Sequence, residues 1–256
     1  MDLAGKVLFV TGGASGLGEA TVDWFAKKGN KVSIMDLSED NGNRIVEKYG
    51  EDNVIFCKGN VTSEEDMQAA IDATVDTFGR IDVCICCAGI GSGTKIYGKR
   101  GVHPLGAFNK VIQIDLIGTF NAMRLAVEKM VNNEPNEDGE RGIIICTSSI
   151  AAWEGQIGQV AYAAAKGGVN GMILPAAREL TSNGIRVVGI APGIVATPQL
   201  LALPEKVLDS LNKSVPFPNR LARPDEFAKM VEFLVEDAMM NGTVVRIDGA
   251  LRMQAR

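Results

Sequence analysis

Short apolar runs alternate with longer amphipathic segments along the whole chain, and this alternation predicts a βαβ fold. Strand-like runs lie at residues 6–11, 31–35, 53–57, 81–87, 142–147, 185–190 and 243–247. Helical periodicity fills the intervals at residues 16–28, 39–49, 64–78, 105–130, 160–180 and 224–237. Several strands are apolar throughout, which is typical of parallel sheets that are covered on both faces.

Strands and helices in this order are joined by right-handed crossovers and form a doubly wound parallel sheet. Such a sheet binds its ligands in a crevice outside the carboxyl ends of the strands. The polar stretch at residues 132–141 has the composition of a turn and not of a linker between domains. We therefore predict an α/β fold in which residues 1–256 form a single domain.

The composition narrows the choice of partners. Hydrophobic residues make up 46% and charged residues 22% of the chain, as in ordinary globular domains. Acidic residues outnumber basic ones, 31 to 26, so the net charge of −5 argues against a nucleic acid or an anionic membrane surface. No apolar run approaches the roughly 18 residues of a membrane-spanning helix. The first residues also lack the pattern of a targeting segment, so a cytoplasmic protein is expected.

Five cysteines raise the question of a metal site; they are Cys57, Cys84, Cys86, Cys87 and Cys146. Further ligands at suitable spacing are missing, because the only histidine of the chain is His103. We interpret these cysteines as small apolar residues of buried strands and predict no metal. Their number and placement fit a reducing compartment.

A glycine-rich loop follows the first predicted strand and opens the first helix. Residues 11–18 read TGGASGLG, with glycines at positions 12, 16 and 18. A helix N-terminus offers unpaired N–H groups to a pyrophosphate, glycine permits close approach of the backbone, and Ser15 can add a hydroxyl.

Asp36 ends the second strand, where a carboxylate accepts hydrogen bonds from both ribose hydroxyls and repels a 2′-phosphate. No Lys or Arg follows immediately, so the sequence predicts NAD. The alternative, that Asp36 caps the next helix, is weakened because Ser38 is the better N-cap.

A second motif carries proton-transfer chemistry. Tyr162 and Lys166 lie at positions i and i+4 of a predicted helix and therefore share a face. A neighbouring ammonium favours the phenolate of a tyrosine, which can then exchange a proton with an alcohol or carbonyl oxygen. Ser149 lies thirteen residues before Tyr162, at the end of the fifth strand, and its hydroxyl can hold the same oxygen.

Together, the glycine-rich loop, Asp36, the spacing of Ser149, Tyr162 and Lys166, and the segment PGIVAT at residues 192–197 resemble the short-chain dehydrogenase/reductase family. The resemblance covers nearly the whole chain. It implies a Rossmann fold with a seven-stranded parallel sheet of order 3-2-1-4-5-6-7 and helices on both faces. Residues 1–90 are then mainly the NAD-binding half, and residues 91–256 form the catalytic and substrate-binding half.

Four further segments, at residues 133–136, 153–159, 203–207 and 246–253, are similar to those of the type-2 3-hydroxyacyl-CoA dehydrogenases. This similarity implies an NAD-dependent oxidoreductase that interconverts a secondary alcohol and a ketone, with 3-hydroxyacyl-CoA and 3-ketoacyl-CoA as the expected pair. Hydroxysteroids are an alternative substrate, because the animal members also oxidise them. The resemblance further implies a homotetramer and makes the mitochondrial matrix the alternative to the cytoplasm.

The family resemblance implies roles for individual residues. Ser149, Tyr162, Lys166 and Asp115 are the expected catalytic residues. The expected substrate contacts are Ser149, Gln156, Tyr162 and Leu200. The expected NAD site is formed by Gly12, Ser15, Gly16, Leu17, Gly18, Asp36, Leu37, Asn60, Val61, Cys87, Ala88, Gly89, Tyr162, Lys166, Pro192, Gly193, Val195 and Thr197.

Three residues depart from the family pattern. Asn60 replaces an Asp, and its carboxamide oxygen is expected to accept the same bond from the adenine amino group. Cys86 replaces an Asn whose role is mostly structural, so a modest effect on stability is expected. Asp115 replaces the Asn that bends the long helix and holds a water for proton relay to the lysine. An anion close to Lys166 weakens the positive field on Tyr162, so we expect an active enzyme with a raised pH optimum.

Two segments are candidates for shaping the substrate pocket. Residues 91–106 are basic, with Lys95, Lys99 and Arg100, and either meet the phosphates of coenzyme A or form a solvated loop. Residues 198–220 are predicted as an apolar loop that can hold an acyl chain or a steroid.

Two alternative functions stay open. One is a dinucleotide-binding protein that has lost turnover through Asp115; binding of NADH without turnover would identify it. The other is a scaffold for RNA processing, which the resemblance to animal members suggests. The acidic balance of the chain counts against the scaffold, and salt-sensitive binding of tRNA would support it.

Overall fold

The apolar runs form the predicted seven-stranded parallel sheet. In a computed structural model, which describes residues 1–91, 93–99 and 101–255, the strands of this sheet are β1 (Val7–Thr11), β2 (Lys31–Asp36), β3 (Val54–Lys58), β4 (Val83–Cys86), β7 (Gly142–Thr147), β8 (Ile185–Pro192) and β9 (Val244–Ile247). Their order is β3-β2-β1-β4-β7-β8-β9. The predicted strand order is therefore confirmed. Strands β5 (Tyr97–Gly98) and β6 (Gly101–Val102) form a separate antiparallel hairpin.

Helices cover both faces of the sheet. They are α1 (Gly16–Ala26), α2 (Glu39–Tyr49), α3 (Glu64–Phe78), α4 (Leu105–Val111), α5 (Gly118–Met130), α6 (Ala151–Glu154), α7 (Val160–Glu179), α8 (Pro198–Leu201), α9 (Glu205–Ser214) and α10 (Pro224–Glu236). One core, under α3, α5 and α7, contains Ile71, Ala126 and Val169. The opposite core, under α1, α2 and α10, contains Phe25 and Phe227.

Besides the short β5–β6 hairpin and helix α6, which were not predicted, the structure differs from the predicted elements in two places. The helix expected over residues 105–130 is interrupted by a π-helical turn, Ile112–Ile117, between α4 and α5. The segment expected to be an apolar loop contains α8 and α9. Thr197 caps α8 by accepting a hydrogen bond from the Leu200 amide, which a hydrophobicity pattern does not register. The apolar residues Val207, Leu208 and Leu211 of α9 have helical spacing, which the loop prediction overlooked, and none of them is fully buried.

The cysteines lie in or next to strands. Cys84, Cys86 and Cys146 are buried, and the last two are direct partners on β4 and β7, so their interpretation as strand residues is confirmed. Cys57 and Cys87 are half-buried, and all five are free thiols. Within residues 1–91, 93–99 and 101–255, no group of three or more potential ligand side chains could hold a metal ion. None of the helices described is both long and apolar enough to cross a membrane.

The parallel arrangement brings functionally interesting loops to one edge of the sheet. The glycine-rich loop follows β1, Asp36 ends β2, and Cys87 follows β4, directly beside β1. Ser149 follows β7 at the same edge. The chain leaves β1 toward β2 on one side and later returns to β4 on the other, so a crevice opens between β1 and β4 at this edge.

Candidate active site

A cleft of about 420 Å³ lies at the carboxyl edge of β1, β2 and β4. Its lining contains thirteen of the residues expected at the NAD site: Gly12, Ser15, Gly16, Leu17, Gly18, Asp36, Leu37, Asn60, Val61, Cys87, Ala88, Gly89 and Thr197. The sequence analysis missed the other lining residues, which are Met35, Gly59, Ile90, Ile114 and Pro198. Each of these is the chain neighbour of an expected residue, and Ile114 is the neighbour of Asp115 in the π-helical turn.

The glycine-rich loop packs so tightly that side chains are excluded from it. A Cβ atom on Gly18 would lie 2.1 Å from the Gly12 carbonyl oxygen, and one on Gly12 would lie 2.6 Å from the Ala88 amide nitrogen. Gly12 and Gly16 also have φ values of +66° and +55°, which side chains disfavour. The loop therefore presents bare backbone at the start of α1, as a pyrophosphate site requires.

Asp36 is anchored by the backbone around it. Its Oδ2 atom accepts a hydrogen bond from the Ala14 amide at 3.0 Å, and its Oδ1 atom accepts one from the Ser38 amide at 3.0 Å. Ser38 occupies the N-cap position of α2, but its side chain makes no capping hydrogen bond, so the hydroxyl cap expected from the sequence is absent. No Lys or Arg is among the lining residues of the cleft in the described part of the chain.

Asn60 lines the cleft, and its carboxamide is held by the turn that follows β3. Its oxygen accepts hydrogen bonds from the Thr62 amide at 3.1 Å and from the Thr62 hydroxyl at 3.0 Å. An adenine amino group would share this oxygen with Thr62, whose hydroxyl can rotate away, and the role expected for Asn60 stays a prediction.

Tyr162 and Lys166 lie on α7, as the spacing predicted. The Lys166 ammonium is 5.6 Å from the centroid of the Tyr162 ring. Lys166 is 4% exposed, and its ammonium donates a hydrogen bond to the Thr147 carbonyl oxygen at 3.0 Å. A buried positive charge is thereby held beside the tyrosine and tied to the end of β7.

Asp115 is fully buried in the π-helical turn and faces the same lysine. Its Oδ2 atom lies 3.4 Å from the Lys166 ammonium, and its Oδ1 atom accepts a hydrogen bond from the Ile90 amide at 2.8 Å. Burial raises the pKa of Asp115, while the Lys166 charge and the Ile90 N–H oppose that rise. The bend expected here is the π-helical turn, in which the Thr119 hydroxyl donates to the Asp115 carbonyl at 2.8 Å.

Ser149 stands between β7 and α6. Its hydroxyl oxygen accepts a hydrogen bond from the Ala151 amide at 3.1 Å. The carbonyl that binds Lys166 belongs to Thr147, two residues earlier in the chain. Ser149 is therefore linked through two peptide units to the lysine, and the lysine in turn to Asp115.

Ser149, Tyr162 and Lys166 are not among the lining residues of the cleft, and the same holds for two expected substrate contacts. The Gln156 side chain donates to the Gln254 carbonyl and lines a different cavity, of about 770 Å³, whose lining does not include Tyr162. Leu200 is half-buried in α8 and does not line the cleft.

Most of the segment after β8 packs against other parts of the chain and does not line the cleft. Pro192 and Gly193 make backbone hydrogen bonds to Ile150 and Ile247, and Val195 is buried beside Ala222. Only Thr197 and Pro198 of this region line the cleft. The roles expected for Pro192, Gly193 and Val195, like those of Gln156 and Leu200, stay predictions.

Comparisons with known proteins agree with this geometry. A family model described as short chain dehydrogenase matches residues 6–207. The chain is 50% identical over 249 residues to the 3-hydroxyacyl-CoA dehydrogenase type-2 of Drosophila melanogaster, covering 96% of this chain and 97% of that protein. It is 49% identical over 255 residues to the protein of the same name from Mus musculus, covering 99% and 97%.

A solved structure is also closely similar. The crystal structure of 3-hydroxyacyl-CoA dehydrogenase type-2 from Mycobacterium avium superposes with a TM-score of 0.95 at 42% sequence identity. The match covers 99% of this chain and 98% of that one. With the family model, the relatives and the site geometry in agreement, the chain belongs to the short-chain dehydrogenase family and is an oxidoreductase that acts on CH–OH groups.

Proposed function

We propose that this protein is an NAD-dependent dehydrogenase that interconverts a 3-hydroxyacyl-CoA and the corresponding 3-ketoacyl-CoA. The observation that carries the reaction type is the buried Lys166 ammonium, which is held beside the Tyr162 ring and lies next to Gly89 of the glycine-lined cleft. The names of the relatives from Drosophila melanogaster and Mus musculus support the acyl-CoA substrate.

Membership of the family implies a nicotinamide dinucleotide, and the residues present fit one. Close packing keeps Gly12 and Gly18 free of side chains, so bare loop backbone lines the cleft at the start of α1, where a pyrophosphate would bind. Asp36 puts a carboxylate in the cleft where the ribose is expected, and the absence of Lys and Arg among the described lining residues leaves a 2′-phosphate without a counter-charge. These two features support NAD over NADP.

Side chains of the protein transfer the proton of the reacting oxygen. A bound nicotinamide would supply the acceptor for the hydride of the alcohol carbon in the oxidation and the donor of that hydride in the reduction. In the oxidation, the Tyr162 phenolate takes the proton of the alcohol hydroxyl; in the reduction, the Tyr162 hydroxyl gives that proton to the carbonyl oxygen. The Lys166 ammonium stabilises the phenolate, and the Ser149 hydroxyl donates a hydrogen bond to the reacting oxygen.

Exposed apolar side chains that follow Thr197 in the chain support an apolar substrate. Leu201, Leu203 and Val207 expose their side chains on and between α8 and α9, and Phe217 beyond them is 81% exposed. An acyl chain laid over these residues would bury apolar surface of both partners.

A basic segment supports recognition of the coenzyme A phosphates. Lys95 and Lys99 are exposed on and beside the β5–β6 hairpin, and neither forms an ion pair with a described residue. Both ammonium groups are therefore available to phosphate oxygens. Arg100, which the sequence grouped with them, lies outside the described residues.

We also infer a homotetramer. Ile117, Phe120, Val160 and Leu174 are large apolar residues of the long helical region and of α7, and each exposes between 39% and 48% of its surface. Association through these helices would cover them, as the resemblance to tetrameric family members implies.

The test is oxidation of NADH with acetoacetyl-CoA, followed by absorbance. Wild type is compared with Tyr162→Phe, and NADPH and a 17-ketosteroid are run in parallel. We expect turnover with NADH and acetoacetyl-CoA that is lost in Tyr162→Phe. Equal turnover with NADPH would overturn the cofactor assignment, and turnover of the ketosteroid alone would overturn the acyl-CoA assignment.

The 3.4 Å contact between Asp115 and Lys166 favours one second candidate, a dinucleotide-binding protein without turnover. The ion pair could quench the field that Lys166 exerts on Tyr162. NADH binding without turnover on any of these substrates, together with turnover restored by Asp115→Asn, would establish that candidate.

A further inference from the structure

Two consecutive residues at the end of β7 connect that strand to its neighbours, and the expected catalytic serine follows them directly. The Thr147 carbonyl accepts from the Lys166 ammonium at 3.0 Å. The Ser148 amide donates to the Ile190 carbonyl of β8 at 2.7 Å. The third residue is Ser149, the expected catalytic serine. Ser148, only 2% exposed, therefore lies between the residue that holds the lysine and the residue that holds the substrate oxygen.

The Ser148 side chain makes a separate connection to α7. Its hydroxyl donates to the Asn170 carboxamide oxygen at 2.5 Å and also lies 3.5 Å from the Lys166 carbonyl oxygen. Asn170 follows Lys166 by four residues, so both side chains project from the same side of the helix, one turn apart. The end of β7 is thus joined to α7 at two successive points, Thr147 to Lys166 and Ser148 to Asn170.

Two points of attachment restrain more than one does. Buried residues such as Val169 and Ile173 already pack α7 against the core. The Lys166 side chain has four rotatable bonds and permits small shifts of this part of the helix relative to β7, which the bond from the short, buried Ser148 side chain restricts. Tyr162 lies one turn before Lys166 and would move with any such shift, whereas Ser149 stays with the strand.

We infer that Asn170 is a positioning residue for the reaction: through Ser148 it fixes the separation of Ser149 on the strand side from Tyr162 on the helix side. This inference rests on the proposed roles of Ser149, Tyr162 and Lys166. Asn170 itself does not line the cleft. It acts on the geometry of the reacting groups, where a displacement of about 1 Å can cost about 100-fold in rate.

The test is a double-mutant cycle of Ser148→Ala and Asn170→Leu, with kcat, KM and the Kd for NADH measured separately. We expect each single variant to lower kcat about 10-fold, because one restraint of two is lost. The Kd for NADH should stay within about 2-fold, and the double variant should be no worse than either single one. Asn170→Asp keeps an acceptor oxygen for Ser148 and should retain most of kcat.

A matched control separates positioning from stability. The Thr181 hydroxyl donates to the Ala177 carbonyl at 3.0 Å just beyond the far end of α7, so Thr181→Val removes one hydrogen bond without touching residues 147–149. Thr181→Val should keep wild-type kcat. Additive effects in the cycle, unchanged kcat in Asn170→Leu, or equal loss in the Thr181 control would overturn the inference.

Failure of the proposed function is visible in the same assay. Tyr162→Phe that stays active, or wild type that is inactive, contradicts the proposed function whatever happens at Asn170. A crystal structure of Asn170→Leu gives a readout that needs no turnover. A longer distance between the Ser149 and Tyr162 hydroxyl oxygens than in wild type supports the inference, and an unchanged distance overturns it.

Discussion

The Asp115 carboxylate lies 3.4 Å from the Lys166 ammonium, and both groups are buried. A lysine that serves a catalytic tyrosine through its positive charge is here paired directly with a negative one. Each charged group also has a backbone partner: the Lys166 ammonium donates to the Thr147 carbonyl, and the Asp115 carboxylate accepts from the Ile90 amide. Each charge is therefore only partly neutralised by the other.

We predict that Asp115→Asn moves the acid limb of the pH–rate profile to lower pH by about one unit, because the lysine then acts on Tyr162 without an opposing anion. Burial raises the pKa of Asp115, so protonation of its carboxyl reduces the difference between the two enzymes as the pH falls. The profile of kcat against pH measures the shift. Superimposable acid limbs in the two enzymes would mean that the Asp115 charge does not reach Tyr162.

We predict that Gly18→Ala abolishes dinucleotide binding. The added methyl group would lie 2.1 Å from the Gly12 carbonyl oxygen, which is backbone and cannot rotate away, so the loop must open. A loss of at least about 100-fold in affinity for NADH is expected, measured by fluorescence titration, since the backbone donors of the loop would be displaced. Gly106→Ala is the matched control, because a Cβ there meets nothing within 4 Å. An unaltered affinity of Gly18→Ala for NADH would show that the glycine-rich loop is not part of the dinucleotide site.

We predict that Asp36→Asn relaxes the choice between NADH and NADPH. The variant keeps an acceptor oxygen for one of the two amides, Ala14 or Ser38, but removes the charge that repels a 2′-phosphate. The ratio of kcat/KM for the two cofactors should move toward NADPH by at least about 10-fold, as expected for one removed like-charge contact. A ratio that stays at the wild-type value would show that selectivity originates elsewhere in the cleft.

We predict that Glu226→Gln lowers stability at neutral pH but not in strong acid. Arg220 hydrogen-bonds this carboxylate and lowers the pKa of Glu226 to about 2. A carboxyl with a lowered folded-state pKa stabilises the protein above its unfolded value of 4.5, and this contribution is lost as the pH falls toward 2.

The expected loss for Glu226→Gln is about 1 kcal/mol at pH 7, after allowance for solvent screening of a partly exposed pair. Urea unfolding at pH 7 and near pH 3 compares the variant with wild type. A destabilisation of the same size at both pH values would contradict an electrostatic origin and point to lost packing.

Much of the fold followed from periodicity, and the reasons are physical. Strands such as β7 are covered on both faces, so every residue from Gly142 to Thr147 is buried and the run is uniformly apolar. The amphipathic helices that bury one stripe, such as α10, were equally visible. Single residues determine where a helix ends; Gly79, with φ +83°, ends α3. The helix ends were predicted within a few residues.

Sequence patterns predicted less of the candidate active site than of the fold. Spacing placed Tyr162 and Lys166 on one face, because i and i+4 is a local relationship. It could not show that the Gln156 side chain donates to the Gln254 carbonyl, nor that Ser148 pairs with Asn170. Both hydrogen bonds join residues that are far apart in the chain, and a hydrophobic pattern does not place their polar groups relative to one another in space.

The π-helical turn at Ile112–Ile117 makes the site depend on the number of residues in the chain as well as on their identity. A π-helical turn holds one residue more than the α-helix around it. Removal of a single residue there would restore regular α-helix and change the direction in which the side chains of the turn project, while α4 and α5 keep about the same relative orientation. The Asp115 carboxylate lies in that turn, so its place beside Lys166 depends on the extra residue. A one-residue deletion that leaves every proposed catalytic side chain in the sequence is thus enough to separate this pair of charges.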